Sequence, residues 1–224
     1  MQKTTEVGVN RSGMQVAPDG GEKMLENIQL TKPRRGDERE LAKIRTEYAR
    51  DADPVGTLPD PAASGVMAVL MDKLGARLAF ERAGTRLYDA LMAKCQAAPS
   101  GEPPLKELQH IREEEATHFA LVGAAIQSLG GDPTAQTPEA DVTGVEGMGL
   151  MQVLTDPKTS VAQALHAILV AEMTDNAAWE ELVELTTRAG NDDLAGRFMK
   201  AHEEEIEHLE KVRRWYQAAT RAQA

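Results

Sequence analysis

Residues 111–119, Ile111-Arg112-Glu113-Glu114-Glu115-Ala116-Thr117-His118-Phe119, hold the pattern on which the fold turns. Within them sits Glu115-x-x-His118. On an α-helix, residues three apart point the same way, so one carboxylate and one imidazole share a face. Leu108, Ile111, Val122, Ala125 and Leu129 fall on the same stripe at the 3.6-residue period. The Glu and the His therefore point inward, among apolar side chains. A buried carboxylate is too costly to leave unpaired, and a metal ion is one way to satisfy it.

The device recurs. Glu205-x-x-His208 is in register with Phe198, Ala201, Leu209, Val212 and Tyr216. Two further runs each place one Glu on an apolar stripe. Glu81 lies with Met67, Leu70, Leu74, Leu78, Tyr88 and Met92, and Glu172 with Val161, Leu165, Ile168, Leu169, Trp179 and Val183. The separations agree: 91 residues from Glu81 to Glu172, and 90 from Glu115 to Glu205 and from His118 to His208. The chain reads as a helix pair used twice. A third match, Glu107-x-x-His110, is set aside, because His110 lies about 100° off the stripe and its repeat partner is Lys200.

Composition bounds what this pattern can mean. The 224 residues are 42% hydrophobic and 27% charged but only 4% aromatic, a balance that favours helices around an aliphatic core. The net charge is −11. Residues 1–65 are nearly neutral, with 10 Lys/Arg against 11 Asp/Glu, so the acidity belongs to the remainder. An acidic body without a basic tail argues against nucleic acid as a partner. The single cysteine, Cys95, excludes an internal disulfide, a Cys-rich zinc site and a rubredoxin-type iron centre, and receives no role. No apolar run reaches signal-peptide or membrane-spanning length, so a cytoplasmic protein without membrane contact is expected.

In chain order, residues 1–60 read as an N-terminal arm. Residues 1–36 are aperiodic, and a short helix is expected over 37–51, where Asp37 and Glu40 form a capping box before Leu41, Ile44 and Tyr48. Pro54, Pro59 and Pro61 make a linker. Residues 64–220 are expected to form an all-α four-helix bundle. Its first helix runs from about Ser64 to Gln96. The second starts with Pro103 and Pro104 in its first turn and ends at Gly130-Gly131. A connection over 131–158 follows, rich in Gly, Thr, Asp and Pro, with room for a short helix at Met148–Leu154. A loop that long has a reason if helices two and three run parallel and the chain must cross the bundle between them. The third helix opens with Ser160 and Gln163 as a capping box and ends near Gly190. Asn191 or Asp192 caps the fourth. The expected topology is up-down-down-up.

This set of ligands on four helices resembles the ferritin-like di-iron carboxylate superfamily, with one Glu from each of two helices and Glu-x-x-His from each of the others. The runs Phe80-Glu81-Arg82-Ala83-Gly84-Thr85-Arg86-Leu87-Tyr88 and Leu154-Thr155-Asp156-Pro157 are similar to bacterial ferritin-like proteins with a rubrerythrin-related ligand pattern. The resemblance implies bridging carboxylates at Glu115 and Glu205. It implies Glu81 and His118 as terminal ligands of one ion, and Glu172 and His208 of the other. Two iron ions are implied, with manganese as the alternative, and dioxygen or peroxide as the reacting partner. No catalytic residue beyond the metal ligands is implied.

Asp175 borders the face of Glu172, where rubrerythrins carry an extra carboxylate; the alternative is a surface aspartate. Tyr88 and Trp179, each seven residues beyond its Glu, are expected to pack the core or stand beside the ligands. His202 is expected at the stripe margin, beside the ligands or at the surface, and His166 in solvent. Three functional readings follow: a dinuclear oxidoreductase of ferroxidase or peroxidase type, an iron-storage or metal-binding assembly without turnover, and a metal-free helical interaction module. A homodimer is entertained. Four buried carboxylates should repel one another, so either Glu115→Gln or Glu205→Gln is expected to stabilise the metal-free chain.

Overall fold

The computed structural model describes residues 65–98 and 103–223, together with the pairs Gly8–Val9 and Gln15–Val16. The chain divides into two compact units, Met1–Asp53 and Pro54–Ala224. In the first, Gly8–Val9 (β1) and Gln15–Val16 (β2) pair antiparallel, with Gly8 opposite Val16. The helix expected over 37–51 lies outside the described residues.

The described part of the second unit is helical: α1 Val66–Ala97, α2 Leu105–Ser128, α3 Pro138–Thr155, α4 Val161–Arg188 and α5 Asp192–Arg221. The four long helices form an up-down-down-up bundle. α1 pairs with α2, α4 pairs with α5, α1 faces α4, and α2 and α5 meet only sparsely. None of the described helices is long and apolar enough to cross a membrane.

Local chemistry sets the helix ends. Ser160 and Gln163 close the expected capping box: Gln163 N–H donates to Ser160 Oγ at 3.3 Å, and Ser160 N–H donates to Gln163 Oε1 at 2.8 Å. The α4–α5 turn falls where the sequence places it. Gly190 adopts φ 77° and donates to the Thr187 carbonyl, while Asn191 N–H donates to the Thr186 carbonyl at 3.2 Å. The same Asn191 then caps α5, its Oδ1 accepting from Leu194 N–H at 3.2 Å. One residue thus ends one helix and starts the next. At α2, Pro104 stands at the cap with ψ 122° rather than inside the first turn, and its carbonyl accepts from Leu108 N–H at 3.2 Å.

The crossover differs most from expectation. The long connection contains an 18-residue helix, α3, which lies along α1 and also touches α4. Only Ala140 and Leu154 of α3 are buried, so it has no apolar stripe to advertise it. It is held at its start instead. Thr137 caps it and donates to the Asp72 carbonyl on α1 at 3.1 Å, and Asp72 Oδ1 accepts from Glu139 N–H at 3.0 Å.

The core forms two apolar layers. One contains Leu70, Leu74, Val122, Ala125, Trp179, Leu182 and Phe198. The other contains Leu87, Tyr88, Leu91, Leu108, Ile111, Leu165, Ile168 and Val212. On every long helix the buried acidic and histidine side chains fall between residues of these two layers. The polar cluster is therefore enclosed at mid-bundle.

Candidate metal centre

Each long helix contributes one turn to this cluster. α1 supplies Glu81, α2 Glu115 and His118, α4 Glu172 and Asp175, and α5 Glu205 and His208, and all seven are at most 2% exposed. Their atoms form three overlapping groups whose possible ligand atoms lie within 4.8 Å of one another. One is Glu81, His118 and Glu205; another is Glu115, Glu172, Glu205 and His208; the third is Glu81, Glu115, Asp175 and Glu205. Glu205 belongs to all three and Glu115 to two. The structure thus brings together the six residues on the four stripes, with Asp175 inside the cluster rather than at the surface.

The two imidazoles are arranged alike. His118 Nδ1 is 2.6 Å from Glu205 Oε1, and its Nε2 is 2.8 Å from Glu204 Oε2. His208 Nδ1 is 3.0 Å from Glu205 Oε2, and its Nε2 is 2.9 Å from Glu114 Oε2. Glu114 and Glu204 are 90 residues apart, and each precedes a cluster glutamate. Such an outer carboxylate fixes the ring orientation and turns Nδ1 toward the centre of the cluster. Sequence reasoning missed both, although the 90-residue repeat would have found them.

Electrostatics divide the carboxylates. Burial is opposed by the two histidine hydrogen bonds at Glu205, which hold its carboxyl down to about 2. Those bonds likewise outweigh burial at the imidazoles, holding His118 and His208 up at about 9. Burial pushes Glu81 up to about 7 and Glu172 up to about 8. Glu115 stands well above the carboxylate range, through burial and then the charge of Glu205. Asp175 is also well above it, because burial outweighs the nearby guanidinium of Arg77.

Arg77 was not foreseen. The α1 stripe was read through Leu78, but Leu78 is only partly buried, and the residue turned fully inward is Arg77 at 2% exposure. Its Nε lies 3.0 Å from Glu81 Oε1, its Nη1 pairs with Asp175 Oδ1, and its guanidinium carbon sits 4.3 Å from the centre of the Phe80 ring. Gly84, one turn beyond Glu81, was also unassigned. A Cβ there would run into Glu115 Oε2, so the glycine makes room for that carboxylate. Asn176 ties the frame together, its side-chain amide donating to the Glu172 and Glu205 carbonyls at 3.0 and 2.9 Å.

The remaining candidates fall as follows. Tyr88 is buried and its hydroxyl donates to Glu172 Oε1. Trp179 is buried and meets His118 edge to face, the ring centres 5.4 Å apart. His202 is half-buried and belongs to none of the ligand groups. His110 and His166 are exposed.

The donor set fits metal ions. Glu81 Oε2, Glu115 Oε2 and Glu172 Oε2 are buried without a hydrogen-bond donor, and unsatisfied acceptors of this kind are what a hard or borderline cation takes up. A surface groove of about 460 Å³ between α2 and α5, lined by His118, Leu121, Lys200 and Glu204, reaches the cluster from solvent.

Neither a curated protein nor a solved structure matches the chain. A family model described as Ferritin-like domain matches residues 71–222, a span that runs from early α1 to the end of α5 and contains every residue of the cluster. With the up-down-down-up bundle and the buried carboxylate–histidine cluster at its middle, the chain belongs to the ferritin-like domain family.

Proposed function

We propose that the chain binds two divalent transition-metal ions, iron with manganese as the alternative, and is an oxidoreductase acting on dioxygen or peroxide. One observation carries this reading. Five carboxylates converge on two imidazoles in a water-poor layer, and several of their oxygens have no protein donor. Five negative charges and the Arg77 cation leave a net −4 when the carboxylates are ionised, the charge that two divalent ions neutralise.

Glu81 and His118 would hold one ion, Glu172 and His208 the other, and Glu115 and Glu205 would be shared. Bound there, two ferrous ions would supply the two electrons that, with two protons, convert hydrogen peroxide to two waters. The chain's own groups set the conditions. Tyr88 fixes one oxygen of Glu172, Glu114 and Glu204 fix the imidazoles, and the two apolar layers exclude bulk water. Glu81 and Glu172, held up to about 7 and 8, yield protons to the medium when a cation takes their place.

The test is anaerobic loading with Fe(II), followed by exposure to peroxide or air. Two ions per chain and ferrous oxidation faster than that of free Fe(II) are expected, with both lost in Glu115→Ala. Equal oxidation rates in wild type and Glu115→Ala would remove the redox reading and leave a metal-binding assembly. Absence of bound metal would leave a helical interaction module.

A further inference from the structure

The two halves of the centre come from one repeat, yet they are not equivalent. The offset of 91 residues that relates Glu81 to Glu172 also relates Tyr88 to Trp179, Gly84 to Asp175 and Arg77 to Ile168. In the structure the half built on Glu81 and His118 carries the Arg77 guanidinium and, reaching over from α4, the added carboxylate of Asp175. In the half built on Glu172 and His208, the corresponding places hold an isoleucine and a glycine, and Tyr88 supplies a neutral phenol.

We propose that Arg77 orders the loading of the centre: the Glu172–His208 position takes its divalent ion first, and the Glu81–His118 position takes the second more weakly. The inference rests on the dinuclear reading above. Its physical basis is competition. The Arg77 guanidinium lies within ion-pair distance of Glu81 and Asp175 and also accounts for the Asp175 carbonyl, to which Nη1 donates at 3.3 Å. A cation that uses those carboxylates must take them from an existing cation. A guanidinium does not shed its proton to relieve this. At the other position, beyond the imidazole that each position has, the competing group is the Tyr88 hydroxyl, which yields a carboxylate oxygen without the Coulombic cost of displacing a guanidinium.

Arg77 also has room to yield. Its Nη2 is buried without a hydrogen-bond partner. The residue lines a cavity of about 160 Å³ between α1, α3 and α4, with Phe80, Thr143, Thr174 and Ala178 among its walls. Arg77 is the residue of that lining that also ion-pairs with the cluster, so a guanidinium withdrawing from Glu81 moves into space that already exists.

The experiment is an anaerobic calorimetric titration of the full, chelator-stripped chain with Co(II) alone, followed in parallel by the Co(II) absorption spectrum. Wild type should take one ion in each of two steps, with affinities differing by about tenfold or more. Arg77→Met should tighten the second step by about tenfold and narrow the gap, while Arg77→Lys, which keeps the charge, should preserve two steps. His208→Ala should abolish the tight step and His118→Ala the weak one. These two variants decide which position loads first, and Arg77→Gln, expected to act as Arg77→Met does, tests the arginine if Arg77→Met does not fold. Two equal steps in wild type, an unchanged or weaker second step in Arg77→Met, or loss of the tight step in His118→Ala would each overturn the proposal while leaving the dinuclear reading intact. Failure of wild type to bind Co(II) at all would overturn both.

Discussion

Within the cluster, chemically identical side chains have opposite energetics. Glu205 accepts from both imidazoles, which hold its carboxyl down to about 2, whereas Glu115 has no donor on Oε2 and burial pushes its carboxyl well above the carboxylate range. The expectation that Gln at either position stabilises the metal-free chain therefore splits. Glu205→Gln leaves two buried imidazoles without their anion and should cost about 3 kcal/mol. Glu115→Gln should be close to neutral in mild acid and increasingly stabilising as pH rises, because the wild-type carboxyl must either stay protonated or repel Glu205. Thermal melts in chelator at two pH values check both signs. A pH profile follows from the same groups. Glu81 and Glu172 are raised from 4.5 to about 7 and 8, and His118 and His208 from 6.5 to about 9. A raised group stabilises the fold fully below its unfolded value and loses that contribution as pH climbs through its folded value. Glu205, lowered from 4.5 to about 2, contributes above 4.5 and fails as pH falls toward 2. The chelated chain should therefore be most stable in mild acid and melt at progressively lower temperature up to pH ~9. Metal affinity should rise across the same interval, as cations displace the protons of Glu81 and Glu172. A melting temperature that climbs steadily from mild acid to alkali in chelator would contradict the assignment.

For the helices as elements, two features separate folding from function. Gly84 sits inside α1, where alanine would be better by about 1 kcal/mol of helix propensity. Its hydrogen nevertheless occupies the one place where a methyl group would displace Glu115. Gly84→Ala should keep full helicity by circular dichroism and lose metal binding by at least an order of magnitude, a pattern that a purely structural glycine would not give. α3 is the opposite case, a helix with little buried surface that is fastened at its first turn by Asp72. Asp72→Ala should cost about 1 kcal/mol, the value of a lost N-terminal cap. The cost should appear as faster hydrogen exchange over 138–155, with the four long helices and the metal content unchanged.

For the whole molecule, metal binding and stability would be linked. The polar layer interrupts the apolar core between its two halves, so the bundle folds around a charge problem that bound cations would relieve. Metal at a hundredfold excess over its dissociation constant should stabilise the fold by about 2.7 kcal/mol per ion of that affinity. The melting temperature should accordingly depend on metal concentration, and the dependence should vanish in Glu115→Ala. A metal-independent melting temperature in the wild type would show that the layer is satisfied by protons and Arg77 alone.

The sequence by itself determined the bundle and most of the cluster, because both are written in periodicities. Inward-facing residues recur every three or four positions, and the ligand pattern recurs after 90 or 91 residues, so Glu81, Glu115, His118, Glu172, Glu205 and His208 could be placed without coordinates. Ser160–Gln163 and Gly190–Asn191 were legible for a similar reason, since caps depend on contacts within one turn. Only the tertiary structure decided the rest. The short helix expected at Met148–Leu154 extends back to Pro138, where Thr137 and Glu139 find Asp72 on another helix. Arg77 shares a helix face with Glu81 one turn away, but nothing local says that it also pairs with Asp175, 98 residues away. Gly84 reads as a weak point in a helix until Glu115 arrives from α2. Each of these depends on a partner distant in sequence, and a contact across the bundle leaves no period in the chain that makes it.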